Sequence, residues 1–388
     1  MKKRVCFITD SIFSMGGVQR VTAVIAKELA READVTILTF DDPSSEDTKL
    51  YGLCEAPISY RYFRYPRTNY FVWRFCKAYS LLYRKVLPHI PLTSELYAHS
   101  SFPAAKRLPF IKELQDGHYD VIIGVHAPLA MRLATCRQAL PEVRLVGWIH
   151  NSFKALFGKD TLYNIGPELR AYYEYEFAKL DATIVLSDFD ARRYHCPTRV
   201  IYNPLTLVPG RPSTGTSKKF LAVGRFSHQH KGFDLLIKAF HLFARQDQEW
   251  TLDIVGEGVE EPMYRQLISD YHLEERIHIH PFTNDIQSYY SEAQVYALSS
   301  RWEGFGLVLV EAMAHGLPIV SSDLPTSREI MGDYGLYFPV GDIEALARQL
   351  SAATRIDWQQ QSQQAMQIAR RFDIKQIITQ WKDIIYER

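Results

Sequence analysis

Two glutamates, Glu303 and Glu311, bracket a glycine-rich bend, Gly304-Phe305-Gly306, and the start of an apolar stretch at Leu307 and Val308. That stretch reads as a helix, so the N–H groups of Gly306, Leu307 and Val308 and the positive end of the helix dipole face whatever lies before it. Such an end attracts a phosphate. Glu303, in the preceding loop, and Glu311, one turn into the helix, can accept hydrogen bonds from hydroxyls on either side of that phosphate. A diphosphate carrying a polyol at each end meets this description, and a nucleotide sugar is such a molecule.

Further upstream, Gly224-Arg225 and then Lys231-Gly232-Phe233-Asp234 follow a strand-like run at 220–223. Both cations are thereby held at the strand's carboxyl end. Arg225 can grip phosphate oxygens bidentately and Lys231 adds a point charge, a pairing suited to neutralising a departing diphosphate. In the first half of the chain, Gly16 and Gly17 follow the run 5–9 and open an amphipathic helix whose start offers N–H donors. Their spacing is not the G-x-G-x-x-G of a dinucleotide fold, and an ordinary turn fits them equally well. His126, His150 with Asn151, and Ser187 each stand at the end of a strand-like run. Cleft residues are found there in open α/β sheets.

The elements that must position these groups alternate. Strands are expected at 5–9, 35–40, 120–125, 144–149, 182–186 and 199–202, then at 220–223, 251–255, 277–279, 294–298 and 319–321. Helical patterns in the second half fall at 233–245, 262–271, 307–315 and 343–353. Such alternation implies parallel sheets with helical crossovers. The Pro- and Gly-rich stretch 204–217 carries neither pattern and reads as a linker. The expectation is therefore two doubly wound α/β domains, 1–203 and 218–373, facing across a central cleft. Base contacts are expected from the turns at 256–258 and 281–283.

Taken together, the glutamates with seven residues between them, the Ala-x-Ala-x-Gly-x-Pro that follows them, the Arg225/Lys231 pair and the Gly16-Gly17-x-x-Arg20 loop resemble the retaining glycosyltransferases of family 4, which have the GT-B fold. The likeness spans almost the whole chain, strongest at 220–340 and weakest at 41–110. One extra residue separates Arg225 from Lys231. The resemblance implies an N-terminal acceptor-binding domain, a C-terminal nucleotide-sugar domain, and a last helix, 374–388, that returns to the first domain. It further implies a hexosyltransferase (class EC 2.4) using a nucleoside diphosphate sugar, UDP being the commoner choice. Within it Arg225 and Lys231 stabilise the leaving diphosphate, Glu303 holds sugar hydroxyls, Glu311 the ribose, and His126 orients the sugar. Gly16, Gly17 and the run from Glu303 to Val308 line the donor, while His150, Asn151 and Ser187 lie toward the acceptor. No acid is placed as a nucleophile opposite the leaving group, which favours front-face transfer with retention. A nucleotide-sugar 2-epimerase of the same fold and a noncatalytic sugar-nucleotide binding module are the alternatives.

Composition agrees with an ordinary globular chain: 388 residues, 47% hydrophobic, 23% charged, formal net charge +1. Nucleic acid is not an expected partner. Cys6, Cys54, Cys76, Cys136 and Cys196 form no C-x-x-C pair, and their odd number argues against a disulfide framework, so the cytoplasm is the expected compartment. The basic start, Lys2-Lys3-Arg4, precedes an apolar run too short for a signal peptide, and no run approaches a membrane span. Residues 59–91 lack any acid and interleave Arg61, Arg64, Arg67, Arg74, Lys77, Arg84 and Lys85 with aromatic rings. That composition suits an anionic membrane surface on the inner face of the cell membrane, with internal packing and base stacking as the other readings. A lipid-linked or polysaccharide acceptor of the cell envelope would fit it. No metal is expected: Asp188-Phe189-Asp190 follows a strand and opens a helix, where caps are favoured. The pairs His228/His230 and His278/His280 lack an accompanying ligand set.

Overall fold

A computed structural model describes residues 2–158, 165–227 and 229–387; His228 lies outside them. Two α/β units emerge, one of residues 1–203 with 374–388 and the other of residues 204–373.

The first unit carries β1 (Arg4–Thr9), β2 (Asp34–Thr39), β3 (Ile58–Tyr62), β4 (Val121–Val125), β5 (Arg144–Trp148), β6 (Ala182–Val185) and β7 (Arg199–Val200), in the order β3-β2-β1-β4-β5-β6-β7. Every pairing is parallel. Parallel sheets covered on both faces need continuous apolar strands, and Val5, Cys6, Phe7, Ile8 and Val121, Ile122, Ile123 supply them, all essentially inaccessible. Gly124 in β4 lets the helix Ala127–Thr135 lie close, since a Cβ there would stand 2.9 Å from the Ala130 backbone. The helix Ile374–Tyr386 also belongs to this unit. Its Ile377, Ile378, Trp381, Ile384 and Ile385 form one apolar stripe, and the Trp381 ring sits 4.6 Å from Trp148 and 6.4 Å from Phe7.

The second unit carries β8 (Lys219–Val223), β9 (Thr251–Val255), β10 (Ile277–His280), β11 (Val295–Leu298), β12 (Ile319–Ser322) and β13 (Leu336–Phe338), in the order β10-β9-β8-β11-β12-β13, again parallel. Its core gathers Phe220, Phe233, Leu236, Ile237, Phe240 and Trp250 around the helix Phe233–Ala244. The stretch expected as a linker has no helix or strand but is tied into this unit. Leu205 N–H donates to the Phe372 carbonyl at 2.8 Å, Ser213 N–H to His315 O at 2.9 Å, and Gly210 N–H to His315 Nε2 at 3.2 Å.

Strand order reverses between β1 and β4 in one unit and between β8 and β11 in the other. Ligands of doubly wound sheets bind outside the carboxyl ends at this reversal. The expected motifs lie there: Gly16-Gly17 after β1, His126 after β4, Gly224-Arg225 after β8 and Ser299 to Gly306 after β11.

Strands β3 and β13 and the helices Tyr70–Lys85, Pro91–Ser101 and Ala104–Asp116 were not expected. Strand β3 occupies the beginning of the basic aromatic segment, pairing Val35 with Ile58 through Thr39 with Tyr62. The segment therefore divides. Phe63 and Tyr65 pack among Phe40, Phe102 and Phe110, and Arg61 bonds Glu113 at 2.6 Å while Arg64 pairs with Asp42. Phe71 and Phe75, by contrast, are 78% and 73% exposed, with Tyr70, Val72 and Trp73 also open. Among the described residues no helix is long and apolar enough to cross a membrane.

Candidate donor site

The β8 and β11 loops are fastened to each other. Lys231 Nζ meets Glu303 Oε1 at 2.7 Å, and Ser300 Oγ donates to the same oxygen at 2.6 Å. Asp234, in the first turn of the helix Phe233–Ala244, receives both arms of Arg301 at 3.0 and 2.8 Å. Ser299 Oγ donates to the Lys231 carbonyl at 2.9 Å, and Arg301 N–H to the His230 carbonyl at 2.7 Å. Gly232 makes this closeness possible, with φ +65° and a position where a Cβ would stand 2.3 Å from Ser299 O. Burial alone would raise the Glu303 carboxyl, but Lys231 and His230 override it and hold the group well below the ordinary carboxylate range. Glu303 is ionised at neutral pH.

Gly306, in the left-handed region, precedes the helix Leu307–Ala314, so the first N–H groups of that helix open beside the Glu303 loop. Glu311 is 2% exposed, and its Oε2 accepts from Tyr290 Oη at 2.9 Å and its Oε1 from Thr206 at 3.4 Å. The buried Tyr296 phenol accepts from Val223 N–H and donates to the Val223 carbonyl, both at 3.3 Å, where β8 ends. Arg225 is exposed, and its guanidinium has no ion-pair partner among the described residues. Thus Arg225, Lys231 and Glu303 belong to loops at one end of one sheet, and Glu311 lies one turn into the helix that follows the Glu303 loop. Beside them runs the 256–258 turn, with Gly224 N–H donating to Val255 O at 3.0 Å and Phe226 N–H to Glu257 O at 2.7 Å. Phe282, in the 281–283 turn, is 45% exposed. Gly304 is partly buried, whereas the Phe305 ring is buried against Phe372 at 5.7 Å, which leaves its backbone for any ligand.

In the first unit His126 and His150 come together, ring centres 5.3 Å apart, with the His150 ring tilted at 47° against Trp148, 4.3 Å between centres. His126 has φ +74°, an uncommon conformation for a residue with a side chain, and such strain concentrates at functional sites. Burial lowers its basicity, against the opposing pull of Asp10 and a hydrogen bond with Asn151. His150 is also pushed well down by burial, and its Nε2 has no hydrogen-bond partner among the described residues. Two expectations change here. The Gly16 N–H is not open for a ligand, because the Tyr51 hydroxyl accepts it at 2.8 Å, although Gly17 does begin the helix Gly17–Leu29. Ser187 is a buried cap, accepting from Asp190 N–H at 3.1 Å, and Asp190 itself accepts from Phe153 N–H at 3.0 Å.

Sequence reasoning missed Asp234, Arg301, Ser299, Ser300, Tyr290 and Tyr296 as supports. A signal existed for the first two, an acid in a first helical turn and an arginine beside Glu303. Nothing in the spacing announced the tyrosines.

Comparison with known proteins agrees with this architecture. A model described as Glycosyltransferase Family 4 matches residues 15–208, and one described as Glycosyl transferases group 1 matches residues 209–371. An uncharacterized glycosyltransferase of Haemophilus influenzae is 26% identical over 99% of this chain and 100% of its own length. A phosphatidyl-myo-inositol mannosyltransferase of Mycobacterium leprae is 33% identical over 63% of this chain and 66% of its own. Among solved structures, Anabaena HepE in complex with UDP and glucose superposes with a TM-score of 0.74 at 21% identity, covering 100% of both chains.

Proposed function

The chain belongs to the glycosyltransferases of family 4, enzymes of the GT-B fold, and from that premise we propose that it transfers a hexosyl unit from a UDP-sugar to an acceptor hydroxyl with retention of configuration. The observation that carries the reading is the fastening of Lys231 to Glu303 at the β8/β11 reversal, beside the exposed Arg225 and the open helix start at Leu307. Arg225 and Lys231 neutralise the diphosphate as its bond to the anomeric carbon breaks. A diphosphate oxygen takes the acceptor proton while the acceptor oxygen bonds the same face of that carbon. Glu303 holds sugar hydroxyls, Glu311 the ribose, and His126 the sugar's orientation. Side-chain cations supply the charge, so turnover needs no metal and EDTA leaves it unchanged.

The acceptor in this reading is a glycolipid or polysaccharide precursor of the cell envelope, met on the cytoplasmic face of the membrane. The Mycobacterium leprae relative acts, by its name, on phosphatidyl-myo-inositol. The exposed aromatic helix Tyr70–Lys85, rich in cations and free of acids, supports a surface-bound enzyme.

Arg225→Ala and Glu311→Gln are each expected to cut transfer by roughly a hundredfold or more while thermal unfolding stays unchanged. Near wild-type turnover in either variant refutes the donor site. Conversion of the donor to its 2-epimer without acceptor would identify an epimerase instead, and donor binding without any turnover a binding module.

A further inference from the structure

The loop between β1 and the helix Gly17–Leu29 is held still by side chains from elsewhere. Asp41 Oδ2, just past β2, accepts from Ile12 N–H at 2.8 Å, Phe13 N–H at 3.2 Å and Thr39 Oγ1 at 2.8 Å. The Tyr51 hydroxyl takes Gly16 N–H at 2.8 Å and donates to the Ser14 carbonyl at 3.1 Å. Asp10 opens the same loop, yet it is exposed and has no hydrogen-bond or ion-pair partner among the described residues. One acid fixes the loop's shape, and the other is left open.

Strand register sets Asp10 beside His126. Ile8 pairs with Gly124, so two residues further on Asp10 and His126 leave neighbouring strands together, at the reversal of strand order where ligands of such sheets bind. The carboxylate acts electrostatically on the imidazole, against the burial that lowers its basicity. His126 and Asn151, which hydrogen-bonds it, are each partly open. An accessible carboxylate on a pinned loop can accept from two adjacent hydroxyls, one at each oxygen. We propose that Asp10 binds a pair of neighbouring hydroxyls of the acceptor, which makes it a specificity-determining residue for a sugar or other polyol acceptor. The inference rests on the transferase reading above and deepens its acceptor side. In that reading His126 orients the transferred sugar, so hydroxyls held on Asp10 stand beside that sugar, as same-face attack requires. The feature selected is a vicinal diol, which peptide side chains lack.

Wild type, Asp10→Asn and Asp10→Ala, each saturated with UDP, are titrated by NMR with the methyl α-glycosides of glucose, galactose, mannose and N-acetylglucosamine. Melting temperature and UDP affinity should be the same in all three proteins, because Asp10 holds no other residue in place. The glycoside that the wild type binds best should weaken roughly tenfold or more in Asp10→Ala and by less in Asp10→Asn. Its deoxy derivatives lacking either gripped hydroxyl should bind wild type and Asp10→Ala alike. Equal affinity of wild type and Asp10→Ala for the intact glycoside overturns the inference, as does a parallel loss of UDP affinity, which would mark Asp10 as loop support. A wild type that binds UDP but none of the glycosides overturns it as well. A wild type that binds no UDP brings down the donor-site reading and this inference with it.

Discussion

At the scale of single residues, the second unit concentrates its chemistry where two loops are pinned by side chains far apart in sequence. Gly232 is the narrowest point, because its left-handed backbone and the nearby Ser299 carbonyl leave no room for a Cβ. Gly232→Ala should therefore destabilise the protein by about 1–3 kcal/mol and weaken nucleotide binding by separating Lys231 from Glu303. A melting curve and a nucleotide titration check this; unchanged values in both would show that the loops are joined elsewhere. The reacting groups themselves were legible because each sits in a contiguous motif whose residue types have few other uses together. The Asp234–Arg301 clamp and the His230–Trp302 stack were not, since each joins residues from separate motifs and only the β8/β11 pairing makes them neighbours.

Elements show where composition misled. The basic aromatic segment looked uniform, yet it holds an edge strand whose one cation, Arg61, is already paired and a helix with apolar side chains that face outward. The helix Tyr70–Lys85 buries Tyr83 while exposing Phe71 and Phe75, and its Lys77 and Arg74 lie over Trp73 and Tyr70 at 4.9 and 5.7 Å. Membrane contact, if made by this helix, depends on rings rather than on β3. Phe71→Ser with Phe75→Ser should lower co-sedimentation with anionic liposomes by about tenfold or more, each ring contributing upwards of about 1 kcal/mol of burial. Arg61→Ala should leave it unchanged, because Glu113 already holds that guanidinium. The reverse pattern, or no liposome binding by the wild type, removes the membrane claim. Period-2 alternation was present in β3 (Ile58, Tyr60, Tyr62), but the interspersed Ser59 and Arg61 and the density of rings concealed it. The central strands were legible because a doubly covered parallel sheet demands continuous apolar runs.

For the whole molecule, four wholly or partly buried imidazoles set a pH dependence. Burial pushes His126, His150, His230 and His315 below the ordinary imidazole value of about 6.5. Below that pH the unfolded chain binds more protons than the folded one, so the stability these groups contribute is complete above about 6.5 and is lost as pH falls toward their lowered folded values. The melting temperature should hold steady from pH 8 to 7 and decline from about 6.5 to 5, with a smaller decline in His150→Phe. A flat profile to pH 5.5 would refute the assignment. Glu303, with its lowered carboxyl, adds a loss only at more acidic pH. The first unit is discontinuous in sequence: Phe7 and Trp148 receive Trp381 only from the helix Ile374–Tyr386. On the ribosome that cover is translated after the whole of the second unit. At about 5–20 residues per second, making residues 204–373 takes roughly 10–30 s, and for that time the face of Phe7 and Trp148 that Trp381 will cover stays open, a window in which the nascent first unit is exposed to wrong partners.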